Sequence, residues 1–332
     1  MTVRHFKLHD TRIGTRVALA LALPIIGVVV LSLWTLTGYF RIANDMKDLR
    51  VIAELAPAVG DLIHAVQKER GLSASFIGSA GTELAERLPA RHAETDEKRA
   101  ALAGALTYFD AAHMGGTLAT RIAAARELTD QIDAWRHAIA ERRMTAPELT
   151  RLYGGAVTRL IGVVEEVLVV SPRADLTRSI YAYLHLLQAK ESAGLERAIG
   201  AAGFAAGRFD PAGQARLIEL IDRQRLYLGQ FRFFASPRQV ALLGYLLEGV
   251  SATELERMRQ IATGNPGLRL TEGITAAHWF DTVTQRIDQM KVVEDSLAAD
   301  LIAQARRAED AAARTARMVA VFVTILLALT LA

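Results

Sequence analysis

Two arginines stand inside otherwise apolar helical stripes. Leu62, Val66, Arg70, Ser73 and Ile77 fall at steps of three and four, so they share one helix face that is apolar except for Arg70 and Ser73. Tyr183, Leu187, Lys190, Gly194, Arg197 and Ala201 share a second such face. A guanidinium in a buried stripe must be paired, because an isolated buried charge is strongly unfavourable. Two of them facing each other across a bundle repel unless an anion lies between, and their planar paired N–H donors suit a small planar oxyanion. Gly194 and Ala201 leave space beside the Arg197 guanidinium in this reading. Glu69, Glu191 and Glu196 offer the competing arrangement, in which internal ion pairs neutralise both arginines.

Other candidates carry less. Gly200, Gly203 and Gly207 follow no strand, so close helix packing or a helix end suits them better than a phosphate loop. His5 and His9 have metal-ligand spacing but no third ligand, and no metal site is expected. His64 and His185 lie near the arginines and read as structural. No Ser/His/Asp set or carboxylate pair can be defended, so no catalytic residue, enzyme activity or cofactor is expected. The chain has no cysteine, which excludes disulfides and thiolate chemistry.

These side chains must be positioned by helices. Hydrophobic residues make up 51% of the chain and aromatics only 6%, with Ala and Leu dominant, a mixture that favours helices over strands. Helices are expected over Ile42–Gly78, Thr82–Ala112, Thr117–Arg143, Thr145 to Val170, Asp175–Ala206, Asp210–Ala235, Ser236–Gly249, from Ser251 onwards, and Ile274–Arg317. A turn at His113–Gly116 and a loop at Thr263–Gly273 separate them. Asp210-Pro211 and Ser236-Pro237 are cap-and-proline starts, Thr145 is a cap with Glu148 three residues on, and Ser251 with Glu254 has the spacing of a capping box. Lys68-Glu69 and Ile77-Gly78 recur as Lys190-Glu191 and Ile199-Gly200, a weak echo of a duplicated bundle.

Val17–Phe40 is uncharged and long enough to cross a bilayer, and Met318–Ala332 is uncharged but shorter than the roughly 20 residues a span needs. A cleaved leader fits the first run poorly, since its core would be only about 7–15 residues. Arg4, Lys7, Arg12 and Arg16 precede that run and place the N-terminus in the cytoplasm. The expected plan is a cytoplasmic tail (1–16), a first transmembrane helix (17–40), a periplasmic helical sensing domain (41–317) and a second, truncated transmembrane helix (318–332). Segment 41–317 is formally neutral, so no basic field exists to attract nucleic acid.

Gln67-Lys-Glu-Arg-Gly-Leu-Ser73 with Phe76-Ile-Gly78 resembles the opening motif of the nitrate- and nitrite-sensing domain family. Lys190-Glu191 with Gly194-Leu-Glu-Arg-Ala198 resembles its second motif. Gln224, Tyr227, Phe231, Ala235 and Gln239 resemble its later helix, and Trp279-Phe280 with Thr284, Ile287, Asp288 and Glu294 its closing helix. The resemblance runs from about Leu55 to Leu301. It implies an all-α fold of two stacked four-helix bundles and a nitrate or nitrite ligand held by Arg70 and Arg197, with Ser73, Gly194, Arg225 and Arg232 as secondary candidates. Combined with the apolar ends, it implies a chemoreceptor-type sensor in the inner membrane, multi-pass and homodimeric, with lipid but no nucleic acid as partner and an effector, a chemotaxis domain or a histidine kinase, beyond the sequence. An ectodomain for an organic acid or a partner protein is the alternative.

Overall fold

The computed structural model describes residues 13–79, 81, 85–107, 116–170, 173–264 and 272–331. The expected turn at His113, the loop core at 265–271, and His5 and His9 lie outside them. Ten α-helices follow one another: α1 (Ile13–Gly78), α2 (Leu88–Thr107), α3 (Gly116–Thr129), α4 (Ile132–Ala140), α5 (Ala146–Val170), α6 (Ala174–Ala206), α7 (Pro211–Phe234), α8 (Pro237–Leu247), α9 (Val250–Thr263) and α10 (Ala276–Leu331). No strand occurs among the described residues.

Sequence chemistry explains most boundaries. The Asp210 carboxylate accepts from the Gly213 N–H at 2.7 Å, with Pro211 in the first turn of α7. Ser236 and Gln239 close a reciprocal capping box on α8. Thr145 Oγ1 accepts from the Glu148 N–H at 3.3 Å at the start of α5. The Ser251–Glu254 box does not form: α9 starts one residue earlier, at Val250, with Gly249 at its N-cap. The expected helix Thr117–Arg143 is two, α3 and α4, because Asp130 and Gln131 turn the chain between them. Gly207 ends α6 in the left-handed conformation, its N–H bonded back to the Phe204 carbonyl.

The chain forms two units. Among the described residues the first comprises 13–50 and 305–331, the outer lengths of α1 and α10. Its apolar side chains are largely exposed, Leu23 and Trp34 among them, and Arg50 Nε meets Glu309 Oε2 at 2.6 Å. Both helices include stretches long and apolar enough to cross a membrane, a test that core helices and leader segments also pass.

The second unit, Val51–Gln304, holds the stripe arginines. α6 is its centre, packed along α7 and against α5, while α3 packs on α5. Every residue from Ala189 to Gly194 is buried, so the middle of α6 is almost wholly withdrawn from water. A helix in that position cannot send its charges to water, and Lys190, Glu191, Glu196 and Arg197 must find internal partners. Around one end of α6, Phe204, Leu217, Ile221, Met258, Trp279 and Val283 share one core cluster. Gly200 lies where a Cβ would fall 2.1 Å from the Trp279 ring, and Gly203 is pressed the same way by Phe209, so two glycines of the GxxGxxxG run serve close packing.

Candidate functional site

The inner length of α1 and the middle of α6 cross so that each arginine lies over a glycine of the other helix. A Cβ on Gly71 would fall 2.4 Å from Arg197 Nη2, and one on Gly194 would fall 2.8 Å from Arg70 Nη2. Gly194 therefore makes room for Arg70. That space, expected from the sequence to lie beside Arg197, serves Arg70, and Arg197 has its room from Gly71 instead.

The two guanidiniums meet different surroundings. Arg70 is 1% exposed and forms a fork with Glu191, Nη1 to Oε1 at 2.6 Å and Nη2 to Oε2 at 3.1 Å. Gln67 Nε2 donates to the same carboxylate at 2.8 Å. Arg197, 3% exposed, has no carboxylate within ion-pair distance among the described residues. Its Nη1 donates to Thr284 Oγ1 at 2.8 Å, its Nη2 reaches the Gln67 carbonyl at 3.3 Å, and its Nε has no partner. The guanidinium sits 4.5 Å from the centre of the Phe280 ring, a cation–π contact. Burial, and then the charge of Arg70, push its pKa down to about 10.

The other carboxylates weighed against these arginines are committed elsewhere. Glu69 binds Arg136 through two oxygens at 2.9 and 2.8 Å and accepts from Tyr153 at 2.7 Å. Glu196 holds the Arg259 fork at 2.7 Å twice. Lys190 is closed off by Glu294, and burial lowers its pKa against the pull of that carboxylate. Of the three glutamates, only Glu191 neutralises a stripe arginine.

A cleft of about 1510 Å³ opens beside this crossing. Gly71, Glu191, Arg197 and Phe280 line it; Arg70 does not, because it lies behind Glu191. Arg121, Arg151, Arg159, Arg216 and Arg223 also line it. Arg121 pairs with Glu166, and Arg216 and Arg223 with Glu219. Arg151 and Arg159 stand two turns apart on α5 and have no carboxylate partner among the described residues. A mouth of this sign concentrates anions near Arg197.

Residues 61–302 match the family described as nitrate and nitrite sensing. The chain belongs to that family. It is 33% identical over 261 residues to the nitrate regulatory protein of Klebsiella oxytoca, covering 78% of this chain and 64% of that protein. It is similar to the solved structure of the NasR transcription antiterminator, with 28% identity and a TM-score of 0.74 over 87% of this chain and 83% of that one.

These relatives correct part of the sequence reading. They are a nitrate regulator and an antiterminator, neither a chemoreceptor, so the transmembrane chemoreceptor, its multi-pass inner-membrane location and its alternative as an ectodomain for an organic acid or a partner protein are set aside. Two apolar helices point to a membrane only by length and composition, a test that other helices pass. The exclusion of nucleic acid is corrected too, since an antiterminator acts on transcription. That exclusion came from the charge balance of one segment, and the chain spans only 64% of the nitrate regulatory protein's length.

Within the sensing-family fold the secondary candidates fare unevenly. Gly194 adjoins Arg70. Ser73 is fully buried, its hydroxyl without a hydrogen-bond partner, and it does not line the cleft. Arg225 and Arg232 are exposed and away from the cleft, Arg225 pairing with Asp222 and Glu256, because the polar face of α7 points outward there. Gln67, Thr284 and Phe280 stood in the family motifs without a role and prove to be the direct neighbours of Arg197. His64 is mostly buried, its side chain 12% exposed, and desolvation, followed by the charge of Lys190, drives its pKa down to about 2. His185 is stacked among Tyr181, Tyr227 and Phe234.

Proposed function

We propose that residues 41–317 form the sensing region, two stacked helical bundles that bind nitrate or nitrite at Arg197, with Arg70 as the deeper cation of the same site. The observation that carries this is a buried guanidinium with no carboxylate, set in the wall of a cleft. Retaining such a charge is costly, and the cost is recovered only when an anion arrives. Nitrate is flat and singly charged, and its loss of hydration is milder than that of sulfate or phosphate. Arg197 Nε, which has no partner, is the donor such an oxyanion would engage first.

Arg197 is on α6, the Gln67 carbonyl beside it on α1, and Thr284 and Phe280 on α10. An anion here would draw three helices toward one point and bias their packing between two arrangements. The regulatory output that the relatives' names carry is the kind of event such a shift would control. Titration calorimetry of the full chain with nitrate, nitrite, chloride and sulfate tests the assignment. Heat with a nitrogen oxyanion and none with chloride or sulfate is expected; no heat with nitrate or nitrite overturns it.

A further inference from the structure

Three ionised groups meet where α1 crosses α6, and they do not cancel. Arg70 and Glu191 neutralise each other through the two-point fork, with Gln67 fixing the carboxylate from the side. Arg197 remains, so the crossing holds one surplus positive charge. The surrounding groups leave that sum unchanged: Lys190 and Lys291 are matched by Glu294 and Asp61, Glu69 by Arg136 and Glu196 by Arg259. The Asp288 side chain is 59% exposed and screened by solvent, while Lys68 is paired with Glu94. His64 adds no charge.

We infer that Glu191 sets the valence of the ligand: by occupying Arg70 and presenting its carboxylate to the cleft, it restricts the site to anions carrying a single negative charge. This rests on the anion-binding reading of Arg197. A monoanion brings the buried sum to zero. A dianion leaves one negative charge uncompensated and meets the Glu191 carboxylate in the same cleft wall. Shape alone would not exclude sulfate from a cleft of about 1510 Å³; the charge sum does. Glu191 is thus a specificity-determining residue that need not touch the ligand.

The variant Glu191→Gln keeps the side-chain volume and an oxygen for Arg70 while adding one unit of positive charge. Calorimetry of the full chain and this variant with nitrate, nitrite and sulfate is the test. The variant should bind sulfate at least about tenfold more tightly than the unsubstituted chain, with nitrate binding also tightened. Sulfate affinity that is unchanged in a folded Glu191→Gln protein overturns the inference. Where that variant does not fold, the double substitution Arg70→Gln with Glu191→Gln preserves the surplus of one and should still discriminate against sulfate; acceptance of sulfate by the double variant overturns the charge argument. If the unsubstituted chain binds no nitrogen oxyanion yet Glu191→Gln gains sulfate, the valence role stands and the nitrate assignment falls. If neither protein binds any of the three, both fall.

Discussion

Arg70 and Arg197 occupy matching places on two crossing helices, each pressed over a glycine of the other, yet one is an internal ion-pair partner and the other is held without a counter-ion. Arg70 is satisfied by Glu191 from α6, whereas the glutamate near Arg197 in sequence, Glu196, points to the opposite side of the helix and binds Arg259. Neighbours in sequence one residue apart on a helix do not face each other. An arginine in a stripe is therefore a structural pair or a receptor according to which carboxylate reaches it.

The largest expected difference comes from removing each cation. Arg70→Met strands a buried carboxylate and should cost about 3–5 kcal/mol in urea unfolding. Arg197→Met removes a charge that has no carboxylate, so stability should equal or exceed that of the unsubstituted chain while nitrate binding is lost. Equal destabilisation by both would erase the distinction.

The glycines sharpen it. In Gly194→Ala the new methyl meets an Arg70 held at two points by Glu191, which resists movement, and a loss of about 1–3 kcal/mol is expected, partly offset by the better helix propensity of alanine. In Gly71→Ala it meets the more loosely held end of Arg197, which can give way. Nitrate affinity should then fall with little change in melting temperature.

Acid titration probes the burial and the cations around His64. His64 has a folded pKa near 2 against the usual value of 6.5, because burial and the nearby cations disfavour its charged form. Between those limits the unfolded chain holds the extra proton, so stability falls as the pH drops from 6.5 towards 2, by up to about 1.4 kcal/mol per unit. His64→Gln should flatten that slope, and an unaltered pH–stability profile would contradict it. The smallest effect is expected at Arg225: Arg225→Ala should leave nitrate binding unchanged and alter stability by no more than about 0.5 kcal/mol, as befits an exposed pair.

Much of the helical order was legible because it is local. Asp210-Pro211, Ser236-Pro237, and Thr145 with Glu148 mark helix starts through bonds spanning three residues. The break between α3 and α4 carries no glycine or proline to mark it, and the Ser251 box does not form because α9 begins earlier, at Val250, with Gly249 as its cap. The burial of Arg70 and Arg197 could be read from the stripes around them. Their partners could not: Gln67 and Thr284 reach Arg197 across sequence separations of 130 and 87 residues.

Sequence periodicity by itself determined that this protein is helical and that two arginines face inward, since both follow from the 3.6-residue repeat and the insolubility of apolar stripes in water. Which carboxylate met which guanidinium was decided only when α1, α5, α6, α9 and α10 packed together. Buried ion pairs depend on a few ångströms of separation between helices far apart in the chain, and no local rule carries that distance. Arg197, a buried cation in the cleft wall that packing left without a carboxylate among the described residues, is the feature on which the anion site rests.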